Sequence, residues 1–327
     1  MQVGNTKKMR QWVVLGTGGT IAGTAASPGD LTGYTAAQLG VQALLESVHG
    51  LQEVLQGEPL HVEQVAQLNS KDMDAITWQR LARRCAHWLA QPEVGGLVVT
   101  HGTDTLEETA WFLQQVLAPG KPVVITCAMR PATAHMPDGP QNLLDAFAVV
   151  RDAQARGVLV VCAGRIHGAR EVQKVHPYRL DAFDSAETGP LGWVEQGGVR
   201  WSRACPDGPA HPRAERALHG SSEAWPWVAI VPSHSGADSR QVQALVQAGV
   251  QGVVMAGSGN GTVHEALLSP LQKAQEQGVT VRLTTRCTLG QVVGDAAILP
   301  LAERGLNAYK ARVSLMLDLL PQSQLPQ

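Results

Sequence analysis

The sequence lacks the features that mark several large classes of protein. Its 327 residues include 26 Lys and Arg against 28 Asp and Glu, a formal net charge of −2. No excess of positive charge therefore offers a surface to nucleic acid or to an anionic membrane. No apolar run approaches the ~20 residues of a membrane-spanning helix. We expect neither nucleic acid nor a membrane as a partner.

Cysteine is also scarce, and its spacing is uninformative. The five cysteines are odd in number and form no CxxC pair. We interpret them as reduced, mostly buried thiols, which favours a cytoplasmic protein. Lys7, Lys8 and Arg10 precede a mildly apolar run that resembles a weak secretion signal, but four glycines interrupt that run. Cleavage after it would remove the motif around Thr20, so we expect no such signal.

The usual cofactor and metal motifs are missing as well. Residues 16–21 (GTGGTI) resemble the dinucleotide motif GxGxxG, but Ile21 stands where its last glycine belongs. The sequence has no GxxxxGK[ST] phosphate loop and no HExxH, since His264-Glu265 is followed by Ala-Leu-Leu. We therefore expect neither a cofactor nor a catalytic metal.

What the sequence does contain is an alternation of short apolar runs and helix-like segments. The apolar runs lack strict alternation, as is typical of strands buried on both faces of a parallel sheet. They occupy 12–15, 97–100, 122–126, 158–163, 227–231 and 252–256, and the helix-like segments lie near 36–48, 74–90, 105–117, 139–156, 238–249, 262–277 and 307–320. The alternation predicts an α/β protein. Proline and glycine concentrate in 205–224, where we expect a linker between two domains.

Two of the apolar runs lead into Gly- and Thr-rich turns. Residues 13–23 read VVLGTGGTIAG, and residues 98–110 read VVTHGTDTLEETA. Ligands of open α/β sheets bind at the carboxyl ends of strands, so Thr20 and Thr103 indicate chemistry that uses a hydroxyl nucleophile. Asp104 and Glu107 have two interpretations that both stay open: a capping pair at a helix N-terminus, or members of the site.

Further motifs follow in a fixed order along the chain. They lie at 17–23, 70–73, 101–110, 128–131, 138–143, 170–174, 189–192, 257–261 and 306–312. Together they make the chain resemble the bacterial-type L-asparaginases and asparaginase-glutaminases. Each motif alone is weak evidence, but their ordered occurrence over nearly the whole length is specific.

The resemblance implies a fold and an assembly. It implies a large N-terminal α/β domain with a flavodoxin- or Rossmann-like parallel sheet, which we place at 1–205. A linker at 206–224 and a smaller C-terminal α/β domain at 225–327 would follow. It also implies a homotetramer built from intimate dimers, in which a neighbouring subunit completes each active site.

The resemblance further implies hydrolysis of L-asparagine to aspartate and ammonia through an acyl-threonine intermediate. Thr20 would be the nucleophile, on a flexible loop that also carries Tyr34. Thr103, Asp104 and Lys174 would form the second catalytic group. Tyr34 would be the nearest partner of Thr20, whereas Lys174 would act through Thr103. Whether Lys174 serves as a base, as a charged donor or within a relay stays open, because Asp104 beside it would favour its charged form.

Substrate binding follows from the same resemblance, with two departures from it. Ser70 would hold the α-carboxylate of the substrate, and Asp104 its α-ammonium. Lys71 stands where the family commonly has a neutral or acidic residue that touches the substrate amino group. Thr262 stands where the family places an Asn or Ser contributed across the dimer. The neighbouring subunit's acid has only loose counterparts, which are Asp295 and Glu303.

Other functions compatible with these motifs also have to be considered. The same fold could act on glutamine or another ω-amide. It could supply ammonia as a subunit of a tRNA-dependent amidotransferase, but that role calls for an N-terminal extension and a docking or RNA-facing surface. The first motif begins by residue 13 and the net charge is near zero, which disfavours it. A sensor that kept the pocket but lost turnover is the third alternative.

Overall fold

A computed structural model describes residues 10–294, 299–303 and 305–321. Lys7, Lys8 and Asp295 lie outside the described residues, and Glu303 is exposed. The chain divides into two compact units. Unit 1 comprises Met1–Ser185 and Gly189–Pro209, and unit 2 comprises Ala186–Thr188 and Ala210–Gln327. The change from one unit to the other at Pro209 falls inside the segment 206–224.

Unit 1 is built on a large mixed sheet. Its strands are β1 (Gln11–Gly18), β2 (Leu60–Leu68), β3 (Val94–Thr100), β4 (Val123–Thr126), β5 (Val158–Cys162), β6 (Arg165–Gly168), β7 (Gln173–Lys174), β8 (Phe183–Asp184), β9 (Gly192–Glu195) and β10 (Gly198–Trp201). Its helices are α1 (Val41–Glu46), α2 (Leu51–Leu55), α3 (Ala75–Leu89), α4 (Leu106–Leu117) and α5 (Gly139–Arg151).

Eight of these strands form one sheet in the order β10-β9-β6-β5-β4-β3-β1-β2. The strands from β2 to β5 are parallel, whereas β6, β9 and β10 add antiparallel pairs at the other side. Strands β4 and β5 are buried along their whole length, which explains their continuous apolar sequences. Helix α5 packs on β3, β4 and β5, while α3 packs on β2 and β3. The expectation of an α/β domain around a parallel sheet is confirmed, with an antiparallel extension.

Unit 2 contains a smaller parallel sheet of its own. Its elements are α6 (Ala214–His219), β11 (Val228–Pro232), α7 (Arg240–Gln247), β12 (Gly252–Gly257), α8 (Glu265–Glu276), β13 (Thr280–Thr285) and α9 (Ala308–Leu319). The sheet has the order β11-β12-β13, and α9 packs on all three strands. The expected smaller α/β domain is therefore present, and α6 occupies part of the segment in which the sequence predicts a linker.

The cysteines are all free thiols. Cys85, Cys127 and Cys162 are buried, Cys205 is half-buried, and Cys287 is exposed. Burial raises the pKa of the Cys85 thiol to about 12, so that group stays protonated and unreactive in the folded chain. Across the described residues, no helix combines the length and the apolar character needed to cross a bilayer.

Candidate active site

The two Thr-rich turns leave the large sheet side by side. Strands β1 and β3 are parallel neighbours, and Gly16 lies opposite Thr100. The Thr17 hydroxyl donates a hydrogen bond of 2.9 Å to the backbone oxygen of Thr100, which ties the two strand ends together. Beyond them, the backbones of Gly19 and Gly102 are in direct contact. The turn that carries Thr20 therefore packs against the turn that carries Thr103.

Thr20 begins a 3₁₀ turn, Thr20–Ala22, directly after β1. Its side-chain oxygen lies 2.7 Å from the phenol oxygen of Tyr34, within hydrogen-bond distance. Only 6% of the Thr20 surface is exposed, and Tyr34 is half-buried. Thr24 and Thr35 exchange two backbone hydrogen bonds, which closes the loop that brings Tyr34 back to Thr20. A proton can therefore pass directly between the two hydroxyl groups.

A second cluster gathers around Lys174, which lies in the short strand β7. The Lys174 ammonium donates to Thr103 Oγ1 at 2.8 Å and to Asp104 Oδ1 at 2.6 Å. The Lys174 side chain is 19% exposed and that of Asp104 is 51% exposed. The ammonium is therefore held largely inside the protein, while the carboxylate also faces solvent. The sequence separates Lys174 from the other two residues by about 70 positions, and the fold brings the three together.

Ser70 is bound to this second cluster. It begins a 3₁₀ turn, Ser70–Asp72, that follows β2. Its hydroxyl accepts the backbone N–H of Asp104 at 3.1 Å, and its backbone oxygen accepts the Thr105 hydroxyl at 2.7 Å. Because Ser70 is buried and its hydroxyl accepts one bond, its own proton is available to a ligand at this place.

Asp104 and Glu107 do not form a capping pair. The N-cap of α4 is Thr105, and its side chain makes no capping bond. The Asp104 carboxylate accepts from the Lys174 ammonium, and Glu107 Oε2 accepts the backbone N–H of Lys174 at 3.2 Å. Both acids thus contact the same lysine, Asp104 at its ammonium and Glu107 at its backbone N–H. Glu107, in the first turn of α4, thus makes a contact with Lys174 that sequence spacing alone did not reveal.

Lys71 and Thr262, the remaining predicted binding residues, make other contacts. The Lys71 ammonium donates to both oxygens of Asp72, at 2.8 and 2.6 Å, and the two side chains are 62% and 60% exposed. Thr262 is exposed in unit 2, where its backbone pairs with that of Ser258. The described contacts therefore bring together two groups of predicted site residues. The first is Thr20 with Tyr34, and the second is Ser70 with Thr103, Asp104 and Lys174.

Asp138 stabilises a neighbouring turn that the sequence marked only as a motif. Its carboxylate accepts the backbone N–H groups of Met129 and Arg130, both at 2.9 Å. Asn142, one helical turn later, donates to the backbone oxygen of Cys127 at 3.0 Å. The two side chains therefore fix the segment that follows β4. The spacing Asp-Gly-Pro-Gln-Asn is the sequence signal for this role.

His101 lies beneath the second turn and is completely buried. Its Nδ1 lies 2.7 Å from the backbone oxygen of Gly102, so Nδ1 carries the proton that is donated. Burial lowers the pKa of His101 to about 4, and the imidazole is neutral at pH 7. Within the described residues, no three His, Cys, Asp or Glu side chains come close enough to hold a metal ion.

Comparison with known families identifies both parts of the chain. The profile of the N-terminal asparaginase domain matches residues 12–206, and that of the glutaminase/asparaginase C-terminal domain matches residues 227–324. The chain belongs to the asparaginase family. The family resemblance predicted from the sequence motifs is thereby confirmed, and so is the assignment of the chain as an amidohydrolase.

Asparaginase relatives cover nearly the whole chain. L-asparaginase 2 of Bacillus subtilis is 37% identical over 311 residues, which is 94% of this chain and 81% of that protein. The glutaminase-asparaginase of Pseudomonas fluorescens biotype A is 35% identical over 328 residues, 97% of this chain and 88% of that protein. The crystal structure of a probable cytoplasmic L-asparaginase from Campylobacter jejuni matches with a TM-score of 0.87 at 36% identity, covering 95% of each chain.

Proposed function

We propose that this enzyme hydrolyses the side-chain amide of L-asparagine to aspartate and ammonia through an acyl-threonine intermediate on Thr20. The observation that carries the proposal is the 2.7 Å contact between the Thr20 and Tyr34 hydroxyl groups. A threonine hydroxyl is a weak nucleophile until a neighbour takes its proton. The Tyr34 oxygen is within reach of that proton.

The reaction divides into two steps. In the first, Thr20 Oγ1 attacks the amide carbon, its proton passes to the Tyr34 oxygen, and the proton of Tyr34 passes to the amide nitrogen. The C–N bond then breaks, ammonia leaves and the acyl group stays on Thr20 as an ester. In the second step, water attacks the ester, a water proton passes to Tyr34, and Tyr34 returns a proton to Thr20 Oγ1. Aspartate leaves and the enzyme is restored.

Lys174 supports the second step as a hydrogen-bond donor. The Lys174 ammonium forms an ion pair with the Asp104 carboxylate at 2.6 Å. An ammonium can only donate, so Thr103 Oγ1 accepts from it and turns its own proton away from Lys174. We infer that the Thr103 hydroxyl thereby contacts the attacking water or the developing oxyanion. Lys174 acts through Thr103 in this proposal and does not remove a proton itself.

Ser70 and Asp104 form the proposed substrate subsite. The Ser70 hydroxyl proton suits the α-carboxylate of the substrate, and the half-exposed Asp104 carboxylate suits its α-ammonium. The ammonium of Lys71 is paired with Asp72, which reduces its repulsion of the substrate ammonium without removing it. We place Lys71 at the margin of the subsite.

The assembly that completes the site is part of the proposal. We infer a homotetramer of intimate dimers in which Thr262 of a neighbouring copy contacts the substrate, as the family resemblance implies. Thr262 is exposed in the single chain, which supports a contact made by association. We also place the enzyme in the cytoplasm, because its five cysteines are free thiols. The similar structure from Campylobacter jejuni is named as a probable cytoplasmic L-asparaginase, whereas a relative from Haemophilus influenzae, 34% identical over 98% of this chain, is named as a probable periplasmic one.

Glutamine is the second candidate substrate. The relative from Pseudomonas fluorescens biotype A, 35% identical over 97% of this chain, is named glutaminase-asparaginase. Glutamine carries the same α-amino acid group and differs by one methylene before the amide. A difference of one methylene is worth only about 1–3 kcal/mol of discrimination in a binding site.

The substrate assignment is tested by ammonia release from L-asparagine, L-glutamine and D-asparagine under identical conditions. We expect the highest kcat/KM for L-asparagine. A higher value for L-glutamine would make the enzyme a glutaminase. Failure to release ammonia from any of the three by the folded chain would overturn the proposed function.

A further inference from the structure

Glu107 is a buried acid that binds the main chain of Lys174, a contact that plays no part in the chemistry described above. It occupies the first turn of α4, and only 8% of its surface is exposed. The positive end of a helix dipole stabilises a carboxylate at such a position. Burial of a carboxylate is nevertheless costly unless it is hydrogen-bonded. Its Oε2 accepts the Lys174 backbone N–H at 3.2 Å.

The strand that carries Lys174 belongs to a small two-stranded sheet, which two backbone hydrogen bonds to the Ala182 oxygen extend. Strand β7 has two residues and pairs with the two-residue strand β8, in which Phe183 lies opposite Lys174. A pair of such short strands is marginal without further contacts. The turn and helix start at 103–107 supply contacts at both ends of the lysine. Thr103 and Asp104 bind its ammonium, and Glu107 binds its backbone N–H.

We propose that Glu107 is a positioning residue that sets the reach of the Lys174 ammonium to Thr103 through its bond to the Lys174 main chain. The inference rests on the proposed role of Lys174. The proposed role of residue 107 requires a hydrogen-bond acceptor at the distance that a glutamate side chain reaches. A negative charge alone does not meet this requirement. Loss of that acceptor lets the main chain of β7 shift, and the ammonium then no longer holds Thr103 in place.

Four variants of the enzyme separate the need for an acceptor from the need for a charge. Glu107→Gln keeps the acceptor and removes the charge. Glu107→Asp keeps the charge but shortens the side chain by one methylene. Glu107→Ala removes both. Glu108→Ala is the matched control, because it removes an acid from the same first turn, one residue further along α4. The readouts are kcat and KM for L-asparagine, together with the melting temperature of each variant.

We expect the Asp and Ala variants to lose kcat by about tenfold or more, because small misplacements of catalytic groups have large effects on rate. The Gln variant should keep kcat within about threefold, and KM should change little in all of them. If Glu107→Ala does not fold, the comparison of kcat between the Gln and Asp variants tests the proposal by itself. An active Asp variant beside an impaired Gln variant would overturn the proposal, and so would a Glu107→Ala loss no larger than that of Glu108→Ala.

Lys174→Met, alone and combined with Glu107→Asp, separates this inference from the proposed function. Residues that act through one another show non-additive effects, so the Asp change should cost little more once Lys174 is gone. Fully additive losses would contradict a role through Lys174. Full activity of Lys174→Met would overturn both the proposed role of Lys174 and this inference. A dead Lys174→Met beside an active Glu107→Asp would overturn this inference alone.

Discussion

The backbones of Gly19 and Gly102 touch where the two active-site turns meet. A Cβ atom on Gly19 would lie 2.3 Å from Gly102 Cα and 2.4 Å from Gly102 N. Gly19 also has a φ of 85°, in the left-handed region that disfavours other residues. No flexible side chain is present to yield at this contact. The distance between Thr20 and the Thr103 turn therefore depends on two residues without side chains.

Gly19→Ala should destabilise the fold and reduce activity. The Gly19 backbone, with φ 85° and ψ −172°, is essentially restricted to glycine and costs another residue about 1–3 kcal/mol, and overpacking against backbone costs a further ~1–3 kcal/mol. Denaturant unfolding measures the loss. Gly57→Ala is the matched control, since Gly57 has a φ of 77° with open space around its Cβ position. Equal losses in free energy of unfolding for the two variants would contradict the role assigned to the contact.

Tyr34→Phe should lower kcat and leave KM nearly unchanged. The variant keeps the ring but removes the oxygen that lies 2.7 Å from Thr20 Oγ1. Loss of a general acid–base group typically costs about 100-fold or more in rate. Steady-state ammonia release measures the effect, and Tyr309→Phe, which alters an exposed tyrosine of unit 2, is the control. A Tyr34→Phe enzyme with normal kcat would show that Thr20 loses its proton by another path.

The buried His101 should make stability depend on acid pH. Its pKa is about 4 in the folded chain against an ordinary value of 6.5, so the unfolded chain binds an extra proton between these values. Stability is therefore lost as the pH falls from about 6.5 to about 4, by on the order of 3 kcal/mol, and no further loss arises from this group below that range.

Unfolding free energies at pH 7, 5.5 and 4.5 test this expectation against His101→Gln. The glutamine amide retains a donor for the Gly102 backbone oxygen but does not titrate. The difference in free energy of unfolding between the two proteins should change with pH in favour of the variant as the solution becomes more acid. A constant difference would show that His101 does not titrate over this range.

Lys71→Gln should lower KM for L-asparagine, by about threefold if the exposed charge acts across partly screened solvent. The change removes a cation beside the proposed ammonium subsite and releases the Asp72 carboxylate that now binds it. The control is Lys273→Gln, which removes the same charge from the exposed surface of α8 in unit 2. An unchanged or higher KM for Lys71→Gln would place Lys71 outside substrate binding.

The sequence predicted best those elements whose residues are uniformly apolar. Strands β3, β4 and β5 are buried on both faces, so their sequences are nearly continuous apolar runs. Such runs are easily recognised in the sequence. Strand β2 escaped prediction because most of its residues are only half-buried and include His61 and Glu63. The antiparallel strands β9 and β10 are four residues each, too short to give a clear period.

The site was predictable where residues adjoin a strand end. Thr20 and Thr103 follow β1 and β3 closely, so their common location follows from parallel topology. The contacts of Lys174 were not predictable from local pattern, because the lysine stands in a two-residue strand far along the chain. The pairing of Lys71 with its neighbour Asp72 depends on side-chain rotamers, which sequence spacing does not fix.

The most direct test of the central claim is whether acyl transfer occurs on Thr20. Rapid quenching of the enzyme during turnover of L-asparagine, followed by peptide mass spectrometry, detects an aspartyl ester on the protein. We predict the ester on the peptide that contains Thr20 in the unaltered enzyme. We predict no ester and no ammonia release for Thr20→Ala with an unchanged melting temperature. Turnover by Thr20→Ala, or an ester on another residue, would contradict the assignment of Thr20 as the nucleophile.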